Sequence, residues 1–332
     1  MANVFNRDWV SDYIFHDSLN WRPDNVRNKT LTKMQVIDAF DDGIITYSDL
    51  YILYAVNVMT YANLYQLMKY TKWWKTYNKE IPLNSADDEE AFKGRVETLV
   101  KTSLLKRFKF VNGDGQHRDC YYVTPNGYNF IKRKLYFKGS YDEFLGAAPV
   151  QEILKYLSNN ELLLKIIENV SVEEGYHMES KPLYTSHIQF YDRTLRDTIV
   201  TYGFLNIRYA DKKAKILIEP YRPTYDVNVF AKGQMEENQK MRFDFLERYI
   251  RDFNQKNAGT GSLKVVFTSE NLKAAKELAK KIMRYDEYTR KNMYITIDKT
   301  IQEKGLDNTF FKVVQKEVGS KPVLTLASLE IE

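Results

Sequence analysis

The chain has 332 residues, 44% of them hydrophobic and 28% charged, a composition typical of a globular protein long enough for two domains. No apolar run approaches the length of a membrane span, and the first residues lack the basic-then-apolar order of a signal peptide. We therefore expect a cytoplasmic protein without membrane partners. The single cysteine, Cys120, excludes an intrachain disulfide and a multi-cysteine zinc site, so we expect no bound metal.

The net charge of +5 is unevenly distributed along the chain. Residues 1–90 carry 9 Lys+Arg against 13 Asp+Glu, whereas residues 91–138 carry 11 Lys+Arg against 3 Asp+Glu. Such a local excess of positive charge is the electrostatic footprint of contact with phosphate. This basic block, residues 91–138, is the first indication of a nucleic-acid partner.

The N-terminal third of the sequence predicts an arm and two helices. Residues 1–30 show no clear hydrophobic period, and we interpret residues 1–39 as an arm. Residues 45–60 and 61–70 repeat apolar side chains at helical spacing and predict the first two helices. Residues 71–84 contain Pro82 and have no period, which predicts an inserted loop.

A third helix and a hairpin follow. Residues 85–105 predict the helix, with Ser85 as its N-cap, acidic residues in the first turn and a buried apolar stripe. Two strand-like runs, Phe108–Val111 and Cys120–Val123, flank the turn sequence NGDG and predict a β-hairpin. A short helix over residues 124–134 closes this region.

Three helices followed by a hairpin, with a basic third helix, is the order of a winged helix-turn-helix domain, which we predict at residues 40–138. In such a domain the third helix enters the major groove and the hairpin lies on the phosphate backbone. The predicted DNA-binding residues on the helix and the hairpin are Lys93, Arg95, Lys101, Thr102, Lys106, Arg107, Lys109, Gln116 and Arg118.

The segment Lys69–Tyr77 alternates basic and aromatic residues. Stacking and cationic side chains together suit single-stranded nucleic acid, so Lys72, Trp73, Trp74 and Lys75 are additional candidate contacts. The alternative is that the tryptophans pack onto their own domain, because large aromatic side chains are mostly buried.

The remaining sequence predicts a linker and a second domain. Residues 139–150 read as a linker, and residues 151–297 give the order α-β-β-β-α-β-α-β. Residues 198–209 and 214–222 are predicted as two strands of one hairpin. We therefore expect an α/β domain over residues 151–332.

The quoted stretches ITYSDLYILYAVNVMTYANLYQLMKY, RVETLVKTSLLKRFKF and YYVTPNGYNFI resemble the winged-helix part of the replication-relaxation family of plasmid and conjugative-element proteins. The elements that follow resemble the restriction-endonuclease-like core that members of this family carry. The resemblance implies an α+β chain in which a small mixed sheet forms the second domain. It also implies a mobile-element setting in plasmid or phage replication, conjugation or mobilisation, or transcription control.

Metal-dependent cleavage in such a core needs an Asp on the second strand and a Glu-x-Lys pair on the third. Here Tyr202 stands where the Asp is expected and Tyr221 stands where the Lys is expected. Asp197, Glu219 and Lys240 remain as a candidate catalytic set that would use Mg²⁺. We expect instead a degenerate core used for packing, dimerisation or DNA contact.

The leading prediction is a non-enzymatic protein that binds double-stranded DNA sequence-specifically. We expect a homodimer, because many such readers bind two half-sites. No P-loop and no Gly-x-Gly-x-x-Gly motif is present, so we expect no nucleotide cofactor. Two alternatives remain: a Mg²⁺-dependent DNA-nicking relaxase or nuclease, and a module that uses its winged helix to bind another protein.

Overall fold

The computed structural model describes residues 20–23, 31–77, 88–111, 117–136, 141, 143–148, 150–169, 176–178, 184–185, 188–192, 197–209, 212–223, 232–304, 308–315 and 321–329. The chain divides into two compact units, Met1–Leu157 and Ser158–Glu332. Both mix helices with strands, as the predicted α+β class requires. No helix in the described ranges is both long enough and apolar enough to cross a membrane.

Five helices of the first unit precede residue 136 in the described part of the chain. In order they are α1 (Lys33–Asp41), α2 (Tyr47–Met59), α3 (Leu64–Tyr77), α4 (Glu89–Lys101) and α5 (Pro125–Leu135). α1 was missed, because it lies across the end of the predicted arm. It begins with a capping box, in which Gln35 N donates to Thr32 Oγ1 (3.3 Å) and Thr32 N donates to Gln35 Oε1 (2.9 Å).

α3 extends through Lys69–Tyr77, where the sequence predicted the start of a loop. The helix continues because its aromatic side chains pack against α2. The ring of Trp74 lies 5.4 Å from that of Tyr51 and 5.2 Å from that of Tyr54, measured between centroids. Aromatic pairs at such distances stabilise a contact beyond the area that they bury. Tertiary packing therefore supports a helical segment whose sequence does not repeat apolar residues at helical spacing.

α4 confirms the predicted apolar stripe and corrects its cap. The N-cap is Asp88, whose Oδ1 accepts hydrogen bonds from Glu90 N (3.0 Å) and Ala91 N (3.2 Å). The predicted cap, Ser85, lies outside the described residues. The predicted buried stripe of the helix is buried, and it consists of Phe92, Val96, Leu99 and Val100.

A four-stranded antiparallel sheet completes this unit. Its strands are β1 (Asn20–Pro23), β2 (Ala62–Asn63), β3 (Leu105–Val111) and β4 (His117–Val123), in the order β1-β3-β4-β2. The β3–β4 hairpin is the predicted one, extended to the register Leu105↔Val123 through Val111↔His117. The two outer strands were not predicted, since β2 has only two residues and β1 falls in the predicted arm.

The sequence TPNG fixes the entry into α5. Thr124 is the N-cap, and its Oγ1 accepts a hydrogen bond from Gly127 N (3.1 Å). A Cβ at Gly127 would lie 2.2 Å from the carbonyl oxygen of Leu104, so only glycine fits there. After α5, a 3₁₀ helix at Glu143–Ala147 occupies part of the predicted linker.

α6 (Val150–Asn169) begins in the first unit and continues into the second. The other helices of the second unit that the structure describes are α7 (Lys232–Lys256), α8 (Leu272–Ile282), α9 (Glu287–Lys291) and α10 (Asp298–Glu303). The strands of this unit are β5 (Tyr176–Met178), β6 (Tyr184–Thr185), β7 (Ile188–Asp192), β8 (Asp197–Thr201), β9 (Phe204–Tyr209), β10 (Lys212–Tyr221), β11 (Gly261–Ser269), β12 (Met293–Ile297), β13 (Phe310–Val314) and β14 (Val323–Ala327).

The main sheet of the second unit is mixed, as predicted. Eight described strands form it in the order β14-β13-β12-β11-β10-β9-β5, with β6 also paired to β9. β10, β11 and β12 are parallel to one another, and the other pairs are antiparallel. The prediction of one strand over residues 198–209 was wrong, because Tyr202 and Gly203 redirect the chain. β8 pairs with β7 in a separate ribbon, whereas β9 joins the main sheet.

α7 and α8 cover one face of the parallel strands. The ring of Phe243 on α7 stacks on that of Phe267 on β11 with 5.3 Å between centroids. The core on this face also contains Leu217, Tyr221, Phe245, Leu246, Ile250, Leu263, Val265, Ala275, Leu278, Ile282, Met293 and Ile295. This apolar layer fixes the positions of the charged side chains that lie at the strand ends.

Candidate nucleic-acid interface

Arg95, predicted as a DNA contact, is bonded inside the first unit. Its Nε donates to Asp49 Oδ1 (2.9 Å), and its Nη2 donates to Asp49 Oδ2 and to the carbonyl oxygen of Ile44 (2.8 Å). Asp49 is completely buried at the start of α2. The hydrogen bond to Asp49 raises the pKa of Arg95 further above its ordinary value. The side chain is therefore a structural link between α4 and α2.

Arg107 also has acidic neighbours in its own unit. Its Nη1 donates to Glu97 Oε1 (2.7 Å) and lies 3.7 Å from Asp119 Oδ2. The guanidinium thus joins β3 to α4 and to β4. Because two carboxylates surround it, its charge contributes less to the external field than the sequence implied.

Thr102 ends α4 rather than facing outward as a free hydroxyl. Its Oγ1 hydrogen bonds with the carbonyl oxygens of Thr98 (2.9 Å) and Leu99 (3.2 Å). These contacts satisfy carbonyl groups that the last turn of a helix leaves without partners. The residue is half-buried, which fits a role in helix termination.

Of the predicted residues, Lys93, Lys101 and Lys106 remain available. Lys101 and Lys106 are exposed, and Lys93 is partly exposed. None of the acidic side chains described in the structure forms an ion pair with these three lysines. Lys109 on β3 is partly buried. Gln116 and the side chain of Arg118 lie outside the described residues.

The end of α5 adds basic side chains that the predicted site did not include. Arg133 and Lys134 are exposed, and Lys134 Nζ lies 4.2 Å from the centroid of the Phe40 ring. Their presence in the basic block was a signal that could have identified them. Cations in the last turn also stabilise a helix through its dipole, so these residues have a structural explanation as well.

The aromatic residues of Lys69–Tyr77 pack inside the first unit. Trp74 lies among Tyr51, Tyr54 and Tyr70, and the ring of Trp73 lies 5.7 Å from that of Tyr70. Both tryptophans are partly buried, whereas Lys72 is exposed and Lys75 is partly exposed. The geometry therefore favours the alternative in which these aromatic side chains belong to the core.

The candidate catalytic residues of the second unit lie on separate elements. Glu219 on β10 is 1% exposed, and its Oε2 accepts a hydrogen bond from Arg242 Nε (2.8 Å). The Arg242 guanidinium also lies over the ring of Tyr202, 5.0 Å from its centroid. Sequence reasoning missed Arg242 and selected Lys240 instead, because charge alone does not reveal which face of a helix is turned inward.

Asp197 and Lys240 do not join Glu219 in a described cluster. Asp197 begins β8 in the two-stranded ribbon, opposite Asp192, and its side chain lies outside the described residues. Lys240 is exposed on α7. Within the described ranges, no group of three or more His, Cys, Asp or Glu side chains could hold a metal ion.

A buried polar network lies at the carboxyl ends of the parallel strands. Arg222, directly after β10, bonds to both carboxylate oxygens of Asp298 and to Ser158 Oγ. Ser158 Oγ donates to Asp298 Oδ1 (2.9 Å), and nearby Thr268 Oγ1 donates to Asn159 Oδ1 (2.7 Å). Ligands often bind at this edge of an α/β sheet. Here the opposite charges of Arg222 and Asp298 neutralise each other, and they join the end of β10 to the start of α10.

Comparison of the chain with models of protein families, with curated proteins and with solved structures finds no match. Function is therefore argued from the residues and their geometry. The feature that stands out in the first unit is the group of exposed lysines where α4 meets β3.

Proposed function

We propose that the chain binds double-stranded DNA through a winged helix in its first unit. The order α2-β2-α3-α4-β3-β4, with β2 antiparallel to β4, supports this assignment. In that fold α4 enters the major groove and the β3–β4 hairpin lies along the backbone. The observation that carries the proposal is the pair of exposed lysines, Lys101 and Lys106, at the junction between the two elements.

Charge along α4 indicates how the duplex approaches. The helix begins with Asp88, Glu89 and Glu90, which repel phosphate, and ends with Lys101. DNA therefore meets the C-terminal end of α4 together with β3. Arg95 and Arg107 act indirectly, because their ion pairs hold α4 against α2 and β3 against α4.

We propose a mobile-element setting for this DNA binding, on the strength of the resemblance to replication-relaxation proteins. That resemblance implies that the second unit is a degenerate nuclease-like domain. The contact of Arg242 with Glu219 and with the ring of Tyr202 supports the absence of cleavage. In a nuclease, carboxylates at the positions of Tyr202 and Glu219 would hold the metal ion. Here the Arg242 guanidinium contacts both residues and supplies positive charge in that place.

The test is binding of the full chain to random-sequence 30-base-pair duplexes, measured by fluorescence anisotropy over a salt series. We expect affinity to fall steeply with salt, because neutralised phosphates release counterions. The double variant Lys101→Ala/Lys106→Ala should reduce the slope of log K against log[salt] by about two. The matched control is Lys276→Ala/Lys280→Ala, which removes two exposed lysines from α8 and should leave the slope unchanged.

Two results would overturn the proposal. A flat salt response of the wild-type chain would favour the protein-interaction alternative. If the wild type and Lys101→Ala/Lys106→Ala bind the duplex with equal affinity, and circular dichroism verifies the fold of the variant, then DNA does not bind at α4 and β3. Selection of bound duplexes by sequencing would then report whether recognition is sequence-specific.

The nuclease alternative has its own assay. Supercoiled DNA incubated with the protein and Mg²⁺ or Mn²⁺ should remain intact under the proposed function. Nicking by the wild type that disappears in Glu219→Gln but persists in Asp252→Asn, an exposed control on α7, would establish the enzymatic alternative instead.

A further inference from the structure

The outer edge of β14, in the second unit, is able to pair with a further strand. On its inner edge, β14 pairs antiparallel with β13 from Val314↔Val323 to Phe310↔Ala327. No other described strand pairs with β14, which ends the order of the main sheet. The edge of a sheet presents backbone N–H and C=O groups that can pair with a further strand.

Lys321 and Pro322 directly precede β14, but the strand itself lacks the usual devices that prevent pairing. Residues 323–329, VLTLASL, contain no charge, no proline and no glycine. Proteins commonly protect an edge strand with lysine, proline or a bulge, yet the register with β13 runs through five consecutive pairs. Val323 is 42% exposed and Leu326 is 50% exposed. β14 is therefore suited to strand addition.

We propose that β14 pairs antiparallel with β14 of a second copy of the chain, across a two-fold axis at Thr325. This register is self-complementary. It sets Leu324 opposite the second copy's Leu326, Val323 opposite its Ala327, and Thr325 opposite itself. Apolar and β-branched pairs of this kind stabilise antiparallel sheets, and a two-fold axis gives a closed dimer.

Side-chain positions and flanking charges favour a second copy as the occupant. Leu324 packs against the apolar core that α8 covers. In the proposed register, Leu326 of the second copy lies beside Leu324, so apolar side chains continue from one copy to the other. In the sequence, Lys321 precedes the uncharged run and Glu330 follows it. Antiparallel pairing brings the end that carries Lys321 in one copy to the end that carries Glu330 in the other. The inference does not depend on DNA binding.

Disulfide trapping tests the register directly. Thr325→Cys would place two thiols opposite each other with Cα atoms about 4.5 to 5.5 Å apart, within the range that a disulfide spans. The native Cys120 does not compete, because it is buried and its pKa is raised well above the ordinary value. Oxidation should yield a covalent dimer on a non-reducing gel. Thr260→Cys, an exposed threonine after α7, should stay monomeric under the same oxidation.

Charge exchange at Thr325 provides the complementary test. This side chain is exposed, so Thr325→Glu and Thr325→Lys should retain the fold, as verified by circular dichroism. Each variant alone should sediment as a monomer because like charges meet at the axis, whereas their mixture should form a heterodimer of the wild-type mass. A monomeric wild type, or a dimer that persists in Thr325→Glu, would overturn the proposal.

Discussion

Arg95 on α4 donates its Nε hydrogen to Asp49 Oδ1 on α2 over 2.9 Å, and this contact ties α4 to α2. The same carboxylate also caps α2, since Asp49 Oδ2 accepts from Thr46 N (2.6 Å) and from Thr46 Oγ1 (3.0 Å). One buried acid therefore fixes both the start of α2 and the placement of α4. The position of Lys101 on α4 depends on this placement.

We expect Arg95→Ala to destabilise the first unit by about 3 to 5 kcal/mol, because it leaves a buried carboxylate without its counter-charge. Lys93→Ala on the same helix should change the free energy of unfolding by about 0.5 kcal/mol or less. Urea unfolding monitored by tryptophan fluorescence is the suitable measurement, since Trp73 and Trp74 lie on α3 of this unit and no tryptophan follows residue 74 in the sequence.

The double variant Asp49→Ala/Arg95→Ala supplies the control for that prediction. It should be less destabilised than the sum of its single variants, because it removes the uncompensated charge together with its partner. An Arg95→Ala protein with wild-type stability but weakened DNA affinity would contradict the structural role. That result would indicate that Arg95 contacts DNA directly.

Two glycines should respond to alanine with opposite signs. At Gly127 the new Cβ would meet the Leu104 carbonyl oxygen at 2.2 Å and Val123 Cγ1 at 3.1 Å, so the backbone must shift. We expect Gly127→Ala to cost about 1 to 3 kcal/mol, as overpacking of a tight site does. At Gly94, inside α4, no atom beyond the neighbouring residues and the helix's own backbone lies within 4 Å of the new Cβ.

Gly94→Ala should therefore stabilise the first unit by about 0.5 to 1 kcal/mol through helix propensity alone. The urea midpoints of the two variants, read from tryptophan fluorescence, should fall on opposite sides of the wild-type midpoint. Equal midpoints for both variants would mean that α5 does not pack against the residues before β3.

Asp298→Ala should destabilise the second unit by about 3 to 5 kcal/mol, because it leaves the buried Arg222 guanidinium without its carboxylate. Ser158→Ala removes one neutral partner from the same network and should cost about 1 kcal/mol. Hydrogen exchange of the β10 amides, followed by mass spectrometry, measures the effect where the network lies. Asp252→Ala, an exposed acid on α7, is the matched control and should leave this exchange unchanged.

The elements that the sequence predicted well carry their signals locally. α2 repeats apolar side chains at helical spacing, α4 shows an apolar stripe, and the two strands of the hairpin flank the sequence NGDG. The second half of α3 lacks such a signal, because the rings that hold it are on α2. Likewise, the step from β8 to β9 became apparent only from their different partner strands.

The candidate site divides in the same way. A basic block is visible in the sequence, and so the region of the lysines could be predicted. Which basic side chains are neutralised within the fold could not be predicted, since Arg95 finds its partner 46 positions away. Arg242 and Glu219 meet because α7 packs on β11, the strand next to β10, a relationship between elements that no local pattern reveals.

Alkaline pH should weaken the fold around β4. Burial, and then the neighbouring Asp119, raises the pKa of Cys120 well above its ordinary value of 9.0. Burial, and then Cys120, raises the pKa of Tyr122 from 10.0 to about 12. At a pH between the ordinary pKa values and the raised pKa values of the folded chain, the unfolded chain has released protons that the folded chain still holds. The stability that these two groups contribute is therefore fully present at a pH below their ordinary pKa values. It is lost as the pH rises through those values toward the pKa values of the folded chain.

We expect the free energy of unfolding in urea to fall between about pH 9 and about pH 11. Tyr122→Phe should fall less steeply, because it removes one of the groups that release a proton on unfolding. Tyr47→Phe, at a tyrosine that is 61% exposed, should follow the wild-type curve. A thiol reagent should also leave folded Cys120 unmodified and react with it after unfolding. A stability that stays constant over this pH range would contradict the burial of Cys120 and Tyr122 on β4.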